Sequence, residues 1–252
     1  MTMTNSVATA PRRAALPRPT AMRLAATEYQ RVIDMLRTLR PEDWSKPTEC
    51  PDWDVRAMAA HILGMAEMAA SLREQFRQQR AATARGGVFI DALTAVQVDE
   101  RADLSPDQII ERLATRAPKA VRGRRRTPGF VRRRRLPVPQ RVDGTDEMWT
   151  IGFLVDVILT RDPWMHRIDI TRATGAEHVA TADHDGVLVA DVVSEWASRH
   201  ASPYRLRLTG PADGSWSRAS GGPEIEMDAL DFCRALSRRG SADGLLATEV
   251  PF

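Results

Sequence analysis

The sequence is poor in cysteine and contains no long apolar run. Its two cysteines, Cys50 and Cys233, lie far apart and form no CxxC motif, so neither a disulfide framework nor a thiolate zinc site is expected. No stretch approaches the roughly 18 apolar residues of a membrane span. Residues 1–20 contain arginines but no apolar secretory segment. We therefore expect a cytoplasmic protein without a membrane segment.

Lysine is also scarce, since it occurs only at positions 46 and 119, and arginine carries almost all of the positive charge. Residues 122–141 contain nine arginines and no acid, which leaves 27 basic against 33 acidic residues elsewhere. With three prolines, this segment is predicted to be a loop. It has three interpretations: a solvated basic loop, a rim that attracts an anionic substrate, or a nucleic-acid contact. The nucleic-acid interpretation lacks support, because Phe130 is the only aromatic residue of the segment and the rest of the protein is acidic.

Apolar residues at helical spacing dominate the first part of the chain and predict an antiparallel bundle. A capping box at Ser105–Gln108 and a capping residue at Asp54 indicate where two of the helices begin. The predicted helices are 20–39, 55–79, 88–98, 106–121 and 146–173.

The pattern changes after Gly175, where short alternating segments follow a helix. The predicted elements there are a helix at 183–200, strands at 204–208, 214–220 and 223–227, and a helix at 228–239. The sequence thus predicts an α+β multidomain protein. Its parts are a disordered tail at 1–19, a helical bundle at 20–176 and a small α+β domain at 177–252.

One short stretch, RDPWMHRIDI at 161–170, carries polar residues at helical intervals. Asp162 and His166 are one turn apart on one helix face, and His61 lies on the inward face of another helix. These side chains are either hydrogen-bonded core residues or the two-histidine, one-carboxylate set of a catalytic zinc site. Asp169 either supports His166 or pairs with a neighbouring arginine. The remaining histidines, which lack ligand spacing, are predicted to lie on the surface: His178, His184 and His200.

Two segments, WSKPTECPDWDVRAMAAHILG at 44–64 and RDPWMHRIDITRATG at 161–175, resemble the mycothiol-dependent maleylpyruvate isomerase family of DinB-like bundles. DALDFCRALSRRG at 228–240, with the final VPF, is similar to the family's appended α/β domain, which is itself similar to sterol-carrier folds. The resemblance covers the chain from about residue 20 to its last residue.

The resemblance implies a divalent metal, usually zinc, held by His61, Asp162 and His166. The family's isomerase has glutamate at the carboxylate position, where this chain has Asp162. The resemblance further implies mycothiol, a small thiol of actinobacteria, as cofactor. It implies isomerisation of, or addition to, an unsaturated carbonyl substrate.

Two alternatives remain: a mycothiol S-transferase acting on xenobiotic electrophiles, and a non-catalytic protein that binds a metal or an apolar ligand. Arg80, and with it Arg77, lies beyond His61 on the predicted helix and is a candidate catalytic residue. The sequence does not distinguish a monomer from a dimer.

Overall fold

A computed structural model describes residues 10–252 and shows four helices packed as a closed bundle. The helices are α1 (Arg18–Thr38), α2 (Val55–Ala70), α5 (Pro106–Arg126) and α8 (Leu159–Thr174). Helices α1 and α2 both pack against α5, and both also contact α8, which closes the ring. This arrangement confirms the predicted helical bundle and the α+β fold class.

Two further helices, α3 (Leu72–Arg85) and α4 (Phe89–Asp99), pack against each other and against α2. A single helix was predicted over 55–79, and this is wrong at Ser71. Ser71 has extended backbone and its side chain accepts a hydrogen bond from the backbone N–H of Glu74 at 3.4 Å, so it ends α2 and caps α3.

Both predicted helix caps are present. Asp54 Oδ1 accepts from the backbone N–H of Ala57 at 2.7 Å and begins α2. Ser105 and Gln108 exchange side-chain and backbone hydrogen bonds at 3.2 and 2.9 Å and begin α5.

The loop predicted over 122–141 is wrong in large part. Helix α5 continues to Arg126, and α6 (Gly129–Arg132) follows. A hairpin of β1 (Gln140–Val142) and β2 (Thr145–Glu147) comes next.

The turn of this hairpin has positive φ at Asp143 (52°) and Gly144 (71°), which is the two-residue Asp-Gly turn of right-twisted hairpins. The helix predicted from residue 146 is therefore displaced. It begins with α7 (Ile151–Phe153), passes through a π-type turn at Leu154–Ile158 and continues as α8.

The C-terminal part contains a three-stranded sheet in the order β4-β3-β5, with β3 antiparallel to β4 and parallel to β5. Its strands are β3 (Tyr204–Thr209), β4 (Gly214–Arg218) and β5 (Glu224–Asp228). Helices α9 (Val187–His200) and α10 (Ala229–Leu236) pack beside it, and a π-type turn at Ala182–Gly186 precedes α9.

One hydrophobic core spans the predicted domain boundary at residues 176 and 177. Leu24 and Trp164 from the bundle pack with Trp196 and Phe232 from the C-terminal part. The two parts are thus joined by a shared core, and side chains from both can reach one site.

The N-terminal tail predicted as disordered over 1–19 falls partly outside the described residues, which begin at residue 10. Arg12 makes backbone hydrogen bonds with Met148 (2.8 Å) and Thr150 (3.0 Å), and α1 begins at Arg18. The predicted disorder therefore does not extend to residues 12–19. No helix within residues 10–252 has the length and apolarity that a membrane crossing requires.

Candidate metal centre and its cleft

His61 is placed by α2, whose apolar face includes Met58 and Ile62 and packs into the bundle core. The imidazole lies on the adjoining face and is 2% exposed. Its ring contacts Trp53, with ring centroids 4.9 Å apart. A polar group this deeply buried requires a polar partner, and the partner comes from α8.

Asp162 is positioned by an irregularity at the start of α8. Pro163 has no N–H, so it cannot donate to the carbonyl of Leu159 four residues earlier. The buried guanidinium of Arg124 donates to that carbonyl at 2.9 Å and to the carbonyl of Val155 at 2.7 Å. Arg124 thus satisfies the backbone that the π-type turn and Pro163 leave open, immediately before Asp162.

The three predicted ligands meet between α2 and α8. His61 Nε2 is 3.3 Å from Asp162 Oδ2, and His166 Nε2 is 3.6 Å from Asp162 Oδ1. One donor atom from each of the three residues can be chosen so that all lie within 4.8 Å of one another. The side chain of Asp162 is 20% exposed, while both histidines are buried.

A second row of side chains lies behind His166. Its Nδ1 is 3.2 Å from Asp169 Oδ2, and Arg239 Nε donates to Oδ1 and Oδ2 of Asp169 at 2.8 and 3.0 Å. Asp169 thus makes the contact with His166 predicted for a supporting residue, while its arginine partner comes from the C-terminal part. This arrangement leaves His166 Nε2 directed at Asp162.

Opposite charges perturb both members of the α8 pair. Burial raises the pKa of Asp162, but the charges of His166 and His61 outweigh it and lower the pKa to about 2. Burial lowers the pKa of His166, but the Asp162 charge and the Asp169 hydrogen bond outweigh it and raise the pKa to about 10. The cluster therefore carries a carboxylate beside an imidazolium when no cation is bound.

The geometry suits a divalent metal. Zinc bonds of about 2.0–2.2 Å at tetrahedral angles separate ligand atoms by about 3.3–3.6 Å, and the three donor atoms, all within 4.8 Å of one another, need only a small adjustment to reach this spacing. Two imidazoles and one carboxylate are also the donor types that zinc prefers at catalytic sites. The buried Nδ1 of His61 has no hydrogen-bond partner among residues 10–252, so within them the ring is held through Nε2 alone.

A second donor set shares His166 and adds Cys50 and Asp169, again within 4.8 Å of one another. Asp169 already accepts two hydrogen bonds from Arg239, and neither Cys50 nor Asp169 lines the neighbouring cleft. The set with His61 and Asp162 therefore suits an accessible cation better.

Asp162 and His166 form part of the wall of a cleft of about 900 Å³. Arg239 and Ser237 from the C-terminal part line the same cleft, as do the β1 strand and the first residues of α4. A cleft at the junction of two structural units is a common position for a small-molecule site.

The predicted catalytic arginine lies elsewhere. Arg80 is exposed on α3, and neither it nor Arg77 lines the cleft. Arg77 instead pairs with Glu74 and Glu100, each at 2.6 Å. The structure therefore provides no contact that would support catalysis by Arg80, and its role stays a prediction.

The arginine-rich segment serves several purposes. Arg124 is buried in the bundle, and Arg132 pairs with the buried carboxylate of Asp156. Arg141 is the one arginine of residues 122–141 that lines the cleft, where it lies 3.6 Å from Asp146. A substrate-attracting rim is thus limited to Arg141, and the solvated-loop interpretation is wrong for Arg124.

Sequence reasoning missed Arg239 and misplaced His184. Arg239 is about 70 residues beyond Asp169 in the chain, and only its place in the resemblance at 228–240 marked it. His184 was predicted to lie on the surface, but it is buried, and its Nε2 lies 2.7 Å from Glu28 Oε2. His178 and His200 are half-buried.

Residues 25–171 match the family described as the mycothiol maleylpyruvate isomerase N-terminal domain, which is more than half of the chain. The chain belongs to this family. The match contains all three candidate ligands, His61, Asp162 and His166.

Two solved structures resemble this isomerase-family chain over nearly its full length. They are the crystal structure of the mycothiol-dependent maleylpyruvate isomerase and that of its histidine-to-alanine variant. Each is 18% identical, with TM-scores of 0.57 and 0.56, and each comparison covers 94% of this chain and 95% of the other. At this identity the likeness shows a common fold, including the C-terminal part beyond residue 171. No curated protein matches the chain.

Proposed function

We propose that this family member is a metal-dependent enzyme that uses mycothiol to isomerise, or add to, an unsaturated carbonyl compound. The observation that carries the proposal is the convergence of His61, Asp162 and His166 beside a large cleft. The family's name supports mycothiol as the thiol that the enzyme uses. Zinc is the proposed metal because of the donor types, and a cytoplasmic location is part of the proposal.

A divalent cation on these ligands would act as a Lewis acid and lower the pKa of a thiol or water in its remaining position. The protein's own residues prepare the site. Asp169 fixes the orientation of His166, and Trp53 packs against both imidazoles, with centroids 4.9 and 5.7 Å away. Both contacts limit rotation of the rings and so preserve the ligand geometry.

Arg239 is the proposed anchor for a substrate carboxylate. Its Nε is committed to Asp169, but the side chain also lines the cleft. The two terminal nitrogens make only long contacts, with the Ser237 carbonyl at 3.5 Å and Cys50 Sγ at 3.6 Å, so they can turn to a bound anion while Nε holds Asp169. This would place a carbonyl compound with a nearby carboxylate next to the thiol.

The proposed reaction forms and then breaks one bond. Mycothiol bound beside the metal ligands would supply a thiolate for reversible addition to the electron-poor double bond, so that rotation about the resulting C–C single bond and loss of the same thiolate would change the configuration. Nothing is oxidised or reduced. If protonation of the adduct precedes expulsion, the thioether is released instead. That is the S-transferase outcome on an electrophilic xenobiotic, which the same geometry permits.

The test begins with metal analysis of protein purified without a metal-binding tag, for which about one equivalent is expected. Maleylpyruvate with mycothiol should then show a thiol-dependent absorbance change, or other electrophiles a mass gain equal to the thiol. His61→Ala should abolish both the metal and the reaction, whereas His200→Ala, at a histidine outside the cleft, should leave both intact. Bound metal without any thiol chemistry would favour the binding-protein alternative.

A further inference from the structure

The mouth of the cleft has an unusual concentration of exposed apolar side chains. Eight large apolar side chains are exposed among residues 10–252, and four of them line this one cleft. The four are Val88 (64% exposed), Phe89 (36%), Ile90 (49%) and Val138 (43%). Exposed apolar groups that cluster around a cavity mark a binding surface more often than scattered ones do.

Three of the four belong to the first turn of α4 and its capping residue. The buried face of α4 contains Leu93 and Val96, and Phe89 continues that row by one turn towards the cleft. Gly86 and Gly87, both with positive φ, form the turn before it, and a Cβ added at either position would meet no other group within 4 Å. The chain therefore projects these side chains beyond the bundle, where no core residue covers them.

The part of the cleft around the candidate ligands has a different character. Asp162, His166 and Arg239 supply charge there, and Met165 and Phe252 add apolar surface to the lining. The other charged residues that line the cleft are Asp91, Arg141, Asp146 and Glu249. A ligand that fits both regions has a polar, anionic head and an apolar tail. A compact dicarboxylate would leave the apolar side chains of the first turn of α4 exposed to water. The sugar part of a thiol cofactor is itself too polar to cover them.

We propose that the substrate is a carbonyl electrophile with an alkyl or aryl tail, and that the α4 turn and Val138 bind this tail. This inference rests on the proposed function for its reacting head. A cleft of about 900 Å³ is at the upper end of small-molecule sites, about 300–1,000 Å³, so it has room for a thiol and a tailed substrate together.

The binding of unreactive carboxylates with different tails tests directly whether the cleft binds an apolar tail. Calorimetry on the metal-loaded protein would compare butanoate, hexanoate and 4-phenylbutanoate. Each buried methylene should tighten binding by about fourfold, and 4-phenylbutanoate should bind at least about tenfold tighter than butanoate. Val88→Ser/Ile90→Ser should remove most of this gain. Leu72→Ser/Phe76→Ser is the matched control, since it changes two exposed apolar residues of α3 outside the cleft and should preserve the gain.

Equal affinity for the three acids would overturn the inference, and so would an equal loss in both double variants. Sedimentation at high protein concentration tests whether a second copy of the chain, rather than a ligand, covers the apolar mouth of the cleft. A dimer that Val88→Ser/Ile90→Ser dissociates would mean that a second copy covers the mouth, which would also overturn it.

The two proposals fail differently. Tail-dependent binding with neither thiol-dependent isomerisation nor thiol addition would refute the proposed function but support the ligand class. Thiol addition at equal rates to small and tailed enones would support the proposed function and overturn the inference that the cleft binds an apolar tail.

Discussion

Helix α8 carries two adjacent residues, His166 and Arg167, that belong to two clusters of opposite character. The cleft cluster consists of His61, Asp162, His166, Asp169 and Arg239. The buried cluster consists of Glu28, Arg31, Arg167, His184 and Asp185.

In the buried cluster every charge has a direct partner. Arg167 donates to Glu28 at 2.7 Å and to Asp185 at 2.9 Å, and Arg31 pairs with the other oxygen of Asp185. Burial raises the pKa of Glu28, but Arg167 and His184 outweigh it and keep the carboxyl ionised.

In the cleft cluster Asp162 faces two imidazoles, is partly exposed and accepts no hydrogen bond from an arginine or lysine of residues 10–252. Composition alone does not separate the two groups, since both contain histidine, acid and arginine. The two clusters differ in how completely their charged groups are paired, and on the proposed function this difference separates a structural charge network from a cation site.

The largest expected effect on stability comes from Glu28→Ala, which would leave Arg167 and His184 buried with less compensating charge. Losing one partner of a buried pair costs about 3–5 kcal/mol. Asp162→Ala, the same kind of change in the cleft cluster, should cost less in metal-free protein, because His166 keeps Asp169 as a partner and can also lose its proton. Urea unfolding of both variants measures the contrast, and equal losses would show that the clusters serve the same structural purpose.

The next effect concerns metal affinity rather than stability. Asp169→Asn removes the carboxylate that orients His166, and such changes weaken metal binding by about 10–100-fold. Competition with a chromophoric chelator measures the affinity. Asp185→Asn, in the buried cluster, should leave the affinity unchanged while lowering stability, because Asp185 contacts no candidate ligand.

A smaller effect depends on pH. Burial, with the charge of Arg167, lowers the pKa of His178 to about 4, so the folded protein keeps this imidazole neutral. An unfolded histidine has a pKa of about 6.5. The stabilisation is therefore present above about pH 6.5 and is lost as the pH falls towards 4. His178→Gln should reduce the loss between pH 6.5 and 4.5 by about 1–2 kcal/mol, and parallel pH profiles would contradict this.

The smallest effect is expected at the surface of the sheet. Arg205 donates to Glu224 at 2.6 Å, but both side chains are largely exposed. Arg205→Ala should change the free energy of unfolding by less than about 0.5 kcal/mol. A larger change in a denaturation series would mean that this pair resembles the buried cluster more than its exposure suggests.

Local signals in the sequence were sufficient for much of the fold and for part of the site. The cap at Asp54 and the box at Ser105 located two helix starts, because capping involves only neighbouring residues. The interval between Asp162 and His166 similarly placed both side chains on one face of α8.

Contacts between distant parts of the chain were not accessible in this way. No local pattern shows that Arg239 holds Asp169, or that Glu28 draws His184 into the core. The burial of Arg124 was missed for a related reason. Its partners are carbonyls freed at the π-type turn and Pro163, a backbone irregularity that side-chain periodicity does not reveal.

The most direct test of the central claim is the metal content of four proteins measured side by side by mass spectrometry. The account predicts about one equivalent of a divalent metal in the parent protein and in the control Asp185→Asn. It predicts essentially none in His61→Ala and Asp162→Ala. Full occupancy in either ligand variant, or loss in the control alone, would contradict the assignment of the cleft cluster as the metal centre.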